Sequence, residues 1–263
     1  MTGRCRFIPK RTNRPMPRLF IIIGVLLLSF LALPSNARAD FTVAIDVGHS
    51  PGSGGALSAR NVSEYSFNLK MAFTLLRELR KEPRIRALIL NPTGKTISLQ
   101  QRADLINGAR PDLLISIHHD SVQPLYLSKW NYRGTSAAYC DKFLGYSIFI
   151  SERNAQPRLC RSYAISIGTQ LRKSGFFPSA HHAEKIKGEG RQPIDGKAGV
   201  YRFDGLLILR ESRCPAVLVE CGIIKNRAEE MLLRSPAYRK RFARAIRSAV
   251  GNIMADRGRT PPT

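Results

Sequence analysis

Four residues of this chain combine types and spacings suited to metal-assisted hydrolysis: His49, Glu64, His118 and Glu220. His49 closes the run Ala44-Ile45-Asp46-Val47-Gly48-His49, and His118 stands in Ser116-Ile117-His118-His119-Asp120. Glu64 falls in the first turn of a predicted helix, after a glycine-rich loop from Pro51 to Gly55. Glu220 ends the run Ala216-Val217-Leu218-Val219, and a charge closing so apolar a segment must be paired or functional. Two imidazoles and a carboxylate suit a catalytic zinc that keeps one position open for water. A further carboxylate beside it suits a general base. Each residue taken alone has a plainer reading: His49 hydrogen-bonding the glycine loop, Glu64 as a first-turn acid favoured by the helix dipole, His118 as a satisfied histidine at a strand end. All four, however, fall at strand carboxyl ends or at an adjacent helix start, where an open α/β sheet places its ligands.

The elements that must position them follow from the hydrophobic pattern. Short apolar runs alternate with helical periodicity, the signature of an α/β domain with a largely parallel sheet. Strands are expected at 42–47, 86–90, 112–117, 146–150, 206–209 and 216–219, and helices near 63–81, 98–107, 159–173, 227–233 and 237–254. Ser98 is a candidate cap for a helix running to Asn107, with Gly108 closing it. Residues 121–144, with Trp130, Tyr132 and Tyr139, show no clear periodicity and read as an irregular segment shaping access to the site; 174–204 read as a long loop. Adjacent strand residues point to opposite faces, so only one of His118 and His119 can reach a metal. His181 and His182 read as solvated loop residues.

These segments resemble, in order, the zinc-dependent N-acetylmuramoyl-L-alanine amidases of bacterial division and sporulation. Ile45-Asp46-Val47-Gly48-His49 is similar to the family's opening I-D-x-G-H motif, whose histidine binds zinc. Glu64, leading Tyr65-Ser66-Phe67-Asn68-Leu69, matches the zinc-binding glutamate. Leu99-Gln100-Gln101-Arg102 with Asn107 resembles the L-x-x-R…N helix, and Ser116-Ile117-His118 the S-I-H motif that supplies the third ligand. Pro215 to Glu220, then Gly222 and Asn226, resembles the P-A-V-L-V-E-x-G-F-x-x-N segment with its catalytic glutamate. The resemblance runs from about 41 to 253. It implies one three-layer α/β domain of the zinc-dependent phosphorylase/hydrolase-like kind, a mostly parallel twisted sheet with helices on both faces. It also implies Zn2+ on His49, Glu64 and His118, Glu220 as catalytic base, and cleavage of the amide between the lactyl group of N-acetylmuramic acid and L-Ala of peptidoglycan. The departures leave these four in place: Val47 stands for a usual proline, Ser50-Pro51 for glycines, Asn91-Pro92 for Thr-Arg, His119-Asp120 for Ala-Asn, and Ile223 for Phe.

The N-terminus sets the compartment. Residues 1–18 carry six basic residues and no acid, 19–33 are fifteen apolar or small residues, and Ala37-Arg38-Ala39 is an A-x-A cleavage pattern. This is the layout of a secretory signal peptide. Its apolar core is shorter than the roughly 20 residues of a membrane span. Cleavage after Ala39 would leave a catalytic domain at 40–255 and a polar tail at 256–263, in the periplasm or outside the cell, with no stable membrane span. The whole chain has net charge +23; removing 1–39 takes seven basic residues and no acid and leaves +16. In that compartment the basic balance points to acidic wall polymers or a membrane surface, not to nucleic acid. Peptidoglycan is the expected partner, together with a possible protein activator. Four of the five cysteines remain: Cys140 with Cys160 is the natural disulfide, and four buried free thiols the competing reading.

Two other functions fit part of the sequence. Gly48-His49-Ser50-Pro51-Gly52 fits the G-x-S-x-G nucleophile pattern, which would make Ser50 the nucleophile of a serine hydrolase. Its context is a proline- and glycine-rich loop instead of a strand–Ser–helix turn, and the last histidine, His182, precedes two further predicted strands. The other alternative is a non-catalytic exported domain that only binds wall polymers; the presence of all four chemical residues speaks against it.

Overall fold

The computed structural model of the chain describes residues 1–3 and 41–259, so all but the first three residues of the predicted export signal lie outside the described residues. Alternation of inward and outward apolar residues builds a seven-stranded sheet. Its strands are β1 (Phe41–Val47), β2 (Ile85–Ile89), β3 (Leu113–Asp120), β6 (Ser147–Ile150), β7 (Pro193–Asp195), β8 (Val200–Arg202) and β9 (Ala216–Ile223), in the spatial order β2-β1-β3-β9-β6-β8-β7. β2, β1, β3 and β9 run parallel, β6 and β8 are parallel to each other, and antiparallel pairings join β9 to β6 and β8 to β7.

The two faces of the sheet are covered differently. Val43, Ile45, Ile115, Ile117, Val217 and Val219 face a large core shared with α1 (Glu64–Leu79), α3 (Pro157–Lys173) and α6 (Pro236–Arg259). Ala44, Leu114, Ala216 and Leu218 face the other way, against α2 (Leu99–Ala109) and α4 (Leu207–Glu211). Helices therefore sandwich a mostly parallel sheet in a three-layer α/β domain. A further helix, α5 (Arg227–Arg234), follows β9; Asn226 caps it by accepting from Ala228 N and Glu229 N. Ser98 caps α2 in a full capping box with Gln101.

Several expectations are corrected. Residues 206–209 are not a strand but the start of α4, an apolar run too short for periodicity to separate the two. Residues 121–144 are not irregular: β4 (Ser128–Tyr132) and β5 (Thr135–Tyr139) form an antiparallel hairpin, closed by Arg133 and Gly134 at φ 53° and 81°, a two-residue turn that favours glycine. The hairpin docks on the loop after β1, with Trp130 Nε1 donating to Ala59 O at 2.8 Å. Of the polar tail expected from Asp256 onward, 256–259 belong to α6, where Arg257 reaches Asp112 Oδ1 at 2.7 Å, and 260–263 lie outside the described residues. Cys140, Cys160, Cys214 and Cys221 are all buried free thiols. The expected Cys140–Cys160 disulfide is absent because the two lie in different cores, Cys140 beside Val122 and Ile223 and Cys160 within the large one. Among the described residues no helix is long and apolar enough to cross a membrane.

Candidate active site

The chain leaves β1 for β2 on one side and returns to β3 on the other. The crevice between the carboxyl ends of β1 and β3 is thus a topological switch point, where open α/β sheets bind ligands. His49 lies just past β1, His118 near the end of β3, and Glu64 at the start of α1, whose N-terminus points into the crevice. The three side chains converge. His49 Nε2 is 2.9 Å from Glu64 Oε2, and His118 Nδ1 is 3.0 Å from Glu64 Oε1. Local backbone makes this possible. His49 adopts φ 67°, uncommon for a residue with a side chain, so its ring turns back over the sheet. A Cβ on Gly48 would lie 2.4 Å from the His118 ring, and one on Gly55, itself at φ 75°, 2.5 Å from Glu64 Oε2. Both glycines are needed for the close approach.

Glu64 is held by more than the histidines. Its Oε1 accepts from Asn68 Nδ2 at 3.1 Å and His119 N at 3.3 Å, and its Oε2 from Ala56 N at 3.3 Å. Burial alone would raise its pKa, but the hydrogen bonds and charges of His118 and His49 outweigh it and keep the carboxyl well below the usual carboxylate range. Asn68 lies one helical turn after Glu64 and shares its face. Its side-chain oxygen meets His119 Nδ1 at 2.8 Å. His119 is buried on the far face of β3, and desolvation pushes its pKa down to about 3, so it is a neutral packing residue. Beneath the site, Arg102 of α2 donates from Nη1 to Asp46 Oδ1 at 2.9 Å and from Nη2 to His49 O at 2.9 Å, while Ser116 Oγ donates to Asp46 Oδ2 at 2.7 Å. This buried cluster fixes the His49 loop to β1 and β3.

Glu220 is the direct partner of His118 in the β3–β9 ladder and faces the same side of the sheet. Its Oε2 is sealed from solvent and has no hydrogen-bond partner. Burial first, and then the charges of Asp120 and Glu64, push its carboxyl well above the usual range. A buried acid with an unsatisfied oxygen beside two imidazoles and a carboxylate is a candidate functional group. A cleft of about 610 Å³ opens over His49 and His118, with Thr96, Leu99, Leu206 and Leu207 among its walls. No residue of the β4–β5 hairpin is among those lining this cleft. Ser50 is buried; its hydroxyl meets Ser53 N and Thr96 Oγ1, each at 3.2 Å, not a histidine, and 50–53 form a small bridge instead of a strand–helix elbow.

Sequence reasoning missed a second cluster. His181 and His182 are not solvated: they are buried, and both direct Nε2 toward Asp120 Oδ2, at 3.1 and 2.7 Å. The segment 179–189 folds back onto the sheet, where His182 packs on Phe149 and Tyr201. Asp120, standing where asparagine is usual, was the one signal in the sequence.

The N-acetylmuramoyl-L-alanine amidase family model (Amidase_3) matches residues 43–252. A probable N-acetylmuramoyl-L-alanine amidase, AmiB, of Haemophilus influenzae is 28% identical over 79% of this chain and 51% of its own length, so the chain spans about half of that relative. An N-acetylmuramoyl-L-alanine amidase of Mycobacterium tuberculosis is 25% identical over 90% of this chain and 99% of its own. The crystal structure of the N-acetylmuramyl-L-alanine amidase of Mycobacterium smegmatis superposes with a TM-score of 0.65 at 21% identity, covering 84% of this chain and all of that one, which shows a shared fold. With the family model matched along nearly the whole described domain, the chain belongs to the N-acetylmuramoyl-L-alanine amidase family.

Proposed function

We propose that this protein is a zinc-dependent N-acetylmuramoyl-L-alanine amidase that hydrolyses the bond between the lactyl group of N-acetylmuramic acid and L-Ala of peptidoglycan stem peptides. The observation that carries the reading is the convergence of His49, Glu64 and His118 beside the unpartnered carboxyl oxygen of Glu220. Two imidazoles and one carboxylate are the donor set of a catalytic zinc site. Asn68 and two backbone amides orient the carboxylate from behind, as metal ligands require. Zinc held there would acidify a water molecule and polarise the scissile carbonyl.

The remaining work falls to the chain. The cleft receives the substrate over His49 and His118, and its apolar walls exclude bulk water from the scissile amide. Glu220 accepts the proton of the attacking water and then returns it to the departing L-Ala amine. Its Oε2, with no competing hydrogen bond, suits both transfers. Arg102 and Asp46 keep His49 in place. Export to the periplasm or beyond, acidic wall polymers as the attraction for the basic surface, and control by a protein activator belong to the same proposal.

The test is metal analysis of the purified chain combined with mass spectrometry of digested peptidoglycan. Stem peptides with a free L-Ala amine should appear, and His118→Ala should lose activity and the zinc bound with His49 and Glu64. Zinc retained in His118→Ala but lost in His119→Ala would overturn the ligand assignment. Activity that persists in the metal-free protein would overturn zinc dependence.

A further inference from the structure

We propose that Asp120, His181 and His182 form a second metal site that takes a divalent transition ion of the zinc class. Three donors meet there: Asp120 Oδ2, His181 Nε2 and His182 Nε2 all lie within 4.8 Å of one another. The separations to the carboxylate, 2.7 and 3.1 Å, match those of the first site at 2.9 and 3.0 Å. Consecutive histidines rarely aim at one point, because adjacent side chains diverge. Here the short helical turn His181–Ala183 brings the two rings to 3.8 Å between centroids, and both Nε2 atoms face Asp120.

The opposite atom of each donor is already held. His182 Nδ1 lies 2.9 Å from Glu189 Oε2, and Glu189 is fixed in turn by Gln123 Nε2 at 2.8 Å. His181 Nδ1 lies 2.9 Å from Ser179 Oγ, and Asp120 Oδ1 accepts from Ser121 N at 2.8 Å. With Nδ1 protonated toward Glu189 and Ser179, both Nε2 atoms present lone pairs to the same spot. This outer shell is what orients imidazoles on a metal. Apolar rings close the surroundings: Phe149 on His182 at 4.7 Å and Phe143 on His181 at 5.4 Å.

The competing account is a proton on His182 shared between Asp120 and Glu189. That accounts for two of the three donors. It leaves His181 Nε2, in a side chain only 2% exposed, without a hydrogen-bond partner of its own although it lies 3.1 Å from Asp120 Oδ2. A cation at the meeting point satisfies all three. Imidazole and carboxylate donors in this ratio suit zinc. The ion would clip the segment 179–189 to the carboxyl end of β3, two residues beyond His118, where the two imidazoles are only 2% and 9% exposed. The site stands independently of the zinc assigned to His49, Glu64 and His118.

The experiment counts zinc per chain by elemental analysis after saturation of the whole protein and removal of loosely held ion, with Co2+ absorption as a second readout of the ligand environment. The chain has five histidines, and His119 is sealed on the far face, so a second tightly held ion has no other imidazole pair to use. Wild type should hold two ions. His181→Gln and Asp120→Asn should each hold one, His118→Ala should hold one, and His118→Ala combined with His181→Gln should hold none. Saturation of wild type at one ion that His118→Ala removes overturns the second site and leaves the first standing. Two ions persisting in both His181→Gln and Asp120→Asn overturns it as well. One ion lost in His181→Gln but kept in His118→Ala would overturn the first site instead. Native melting transitions verify that each variant folds; if the site variants do not, the wild-type count and His118→Ala still decide.

Discussion

The two histidine–carboxylate clusters of this domain use the same chemistry at opposite ends of exposure. In the first, the side chains of His49 and His118 are 30% and 19% exposed and border the cleft. In the second, His181 and His182 are 2% and 9% exposed and packed among aromatic rings. The first is built from strand ends and a helix start held by buried charges; the second closes only when a distant loop folds back. Donor type and spacing therefore do not separate a reactive site from a stabilising one. What separates them is access, together with a nearby acid that has no partner, and only the first cluster has both.

The largest expected effect tests the reactive half of that contrast. Glu220→Gln keeps shape and removes the base, so turnover on peptidoglycan should fall about 10²–10⁴-fold while zinc content holds. A fall of less than tenfold would remove Glu220 from the reaction and leave the two clusters chemically alike.

Next is the support beneath the open site. Arg102→Met leaves Asp46 buried without its cationic partner, a change that destabilises by about 3–5 kcal/mol. For a domain of this size the melting temperature should drop on the order of 10 °C. Zinc content should fall too, since the His49 carbonyl loses its anchor. Unchanged melting and metal content would mean that the site is held by its ligands alone.

A third measurement compares carboxylates with and without imidazole partners. Glu64 and Asp120, each facing two histidines, are held low, Asp120 at about 2. Glu229 is buried against the backbone amides of Ile223 and Gly145 only; burial pushes it up to about 7, although those amides pull it back. Its folded pKa exceeds the ordinary 4.5, so its contribution to stability is present below pH 4.5 and lost as pH rises through 7. The loss amounts to roughly 3 kcal/mol at 1.36 kcal/mol per unit. Melting temperature should decline across that window, and Glu229→Gln should flatten the decline. An equal slope in the variant would assign it to other groups.

The smallest effect concerns the hairpin. Trp130→Phe removes the hydrogen bond to Ala59 O and should destabilise by about 1 kcal/mol. Turnover and zinc content should stay as in wild type, because no hairpin residue lines the cleft. A change in rate on intact wall without a change in stability would restore the segment as a gate.

Much of the fold was legible because it is local. Alternating apolar runs and helical stripes set β1 and α1 within a residue or two and the starts of β3 and β9 within one, although both strands run three or four residues past their expected ends, and Ser98 marked the start of α2. The misreadings have physical causes as well. The run at 206–209 was too short to show a period, and the hairpin's turn residues, Arg133 and Gly134, sat among residues with no apolar stripe. The disulfide expectation failed because spacing along the chain carries no information about which core a cysteine enters.

The same boundary divides the sites. From sequence alone, His49, Glu64, His118 and Glu220 were candidates because each sits at the end of a predictable element, and parallel strands bring such ends to one edge. The S-I-H resemblance already points to His118 over its neighbour, and the tertiary structure supplies the physical reason: His118 meets Glu64, while the pleat turns His119 into the opposite core against Asn68. Only it could draw His181 and His182 out of the solvent. Their loop has no period to predict; its position follows from the carboxylates of Asp120 and Glu189 and the aromatic floor of β6 and β8, groups that become neighbours once the sheet has formed.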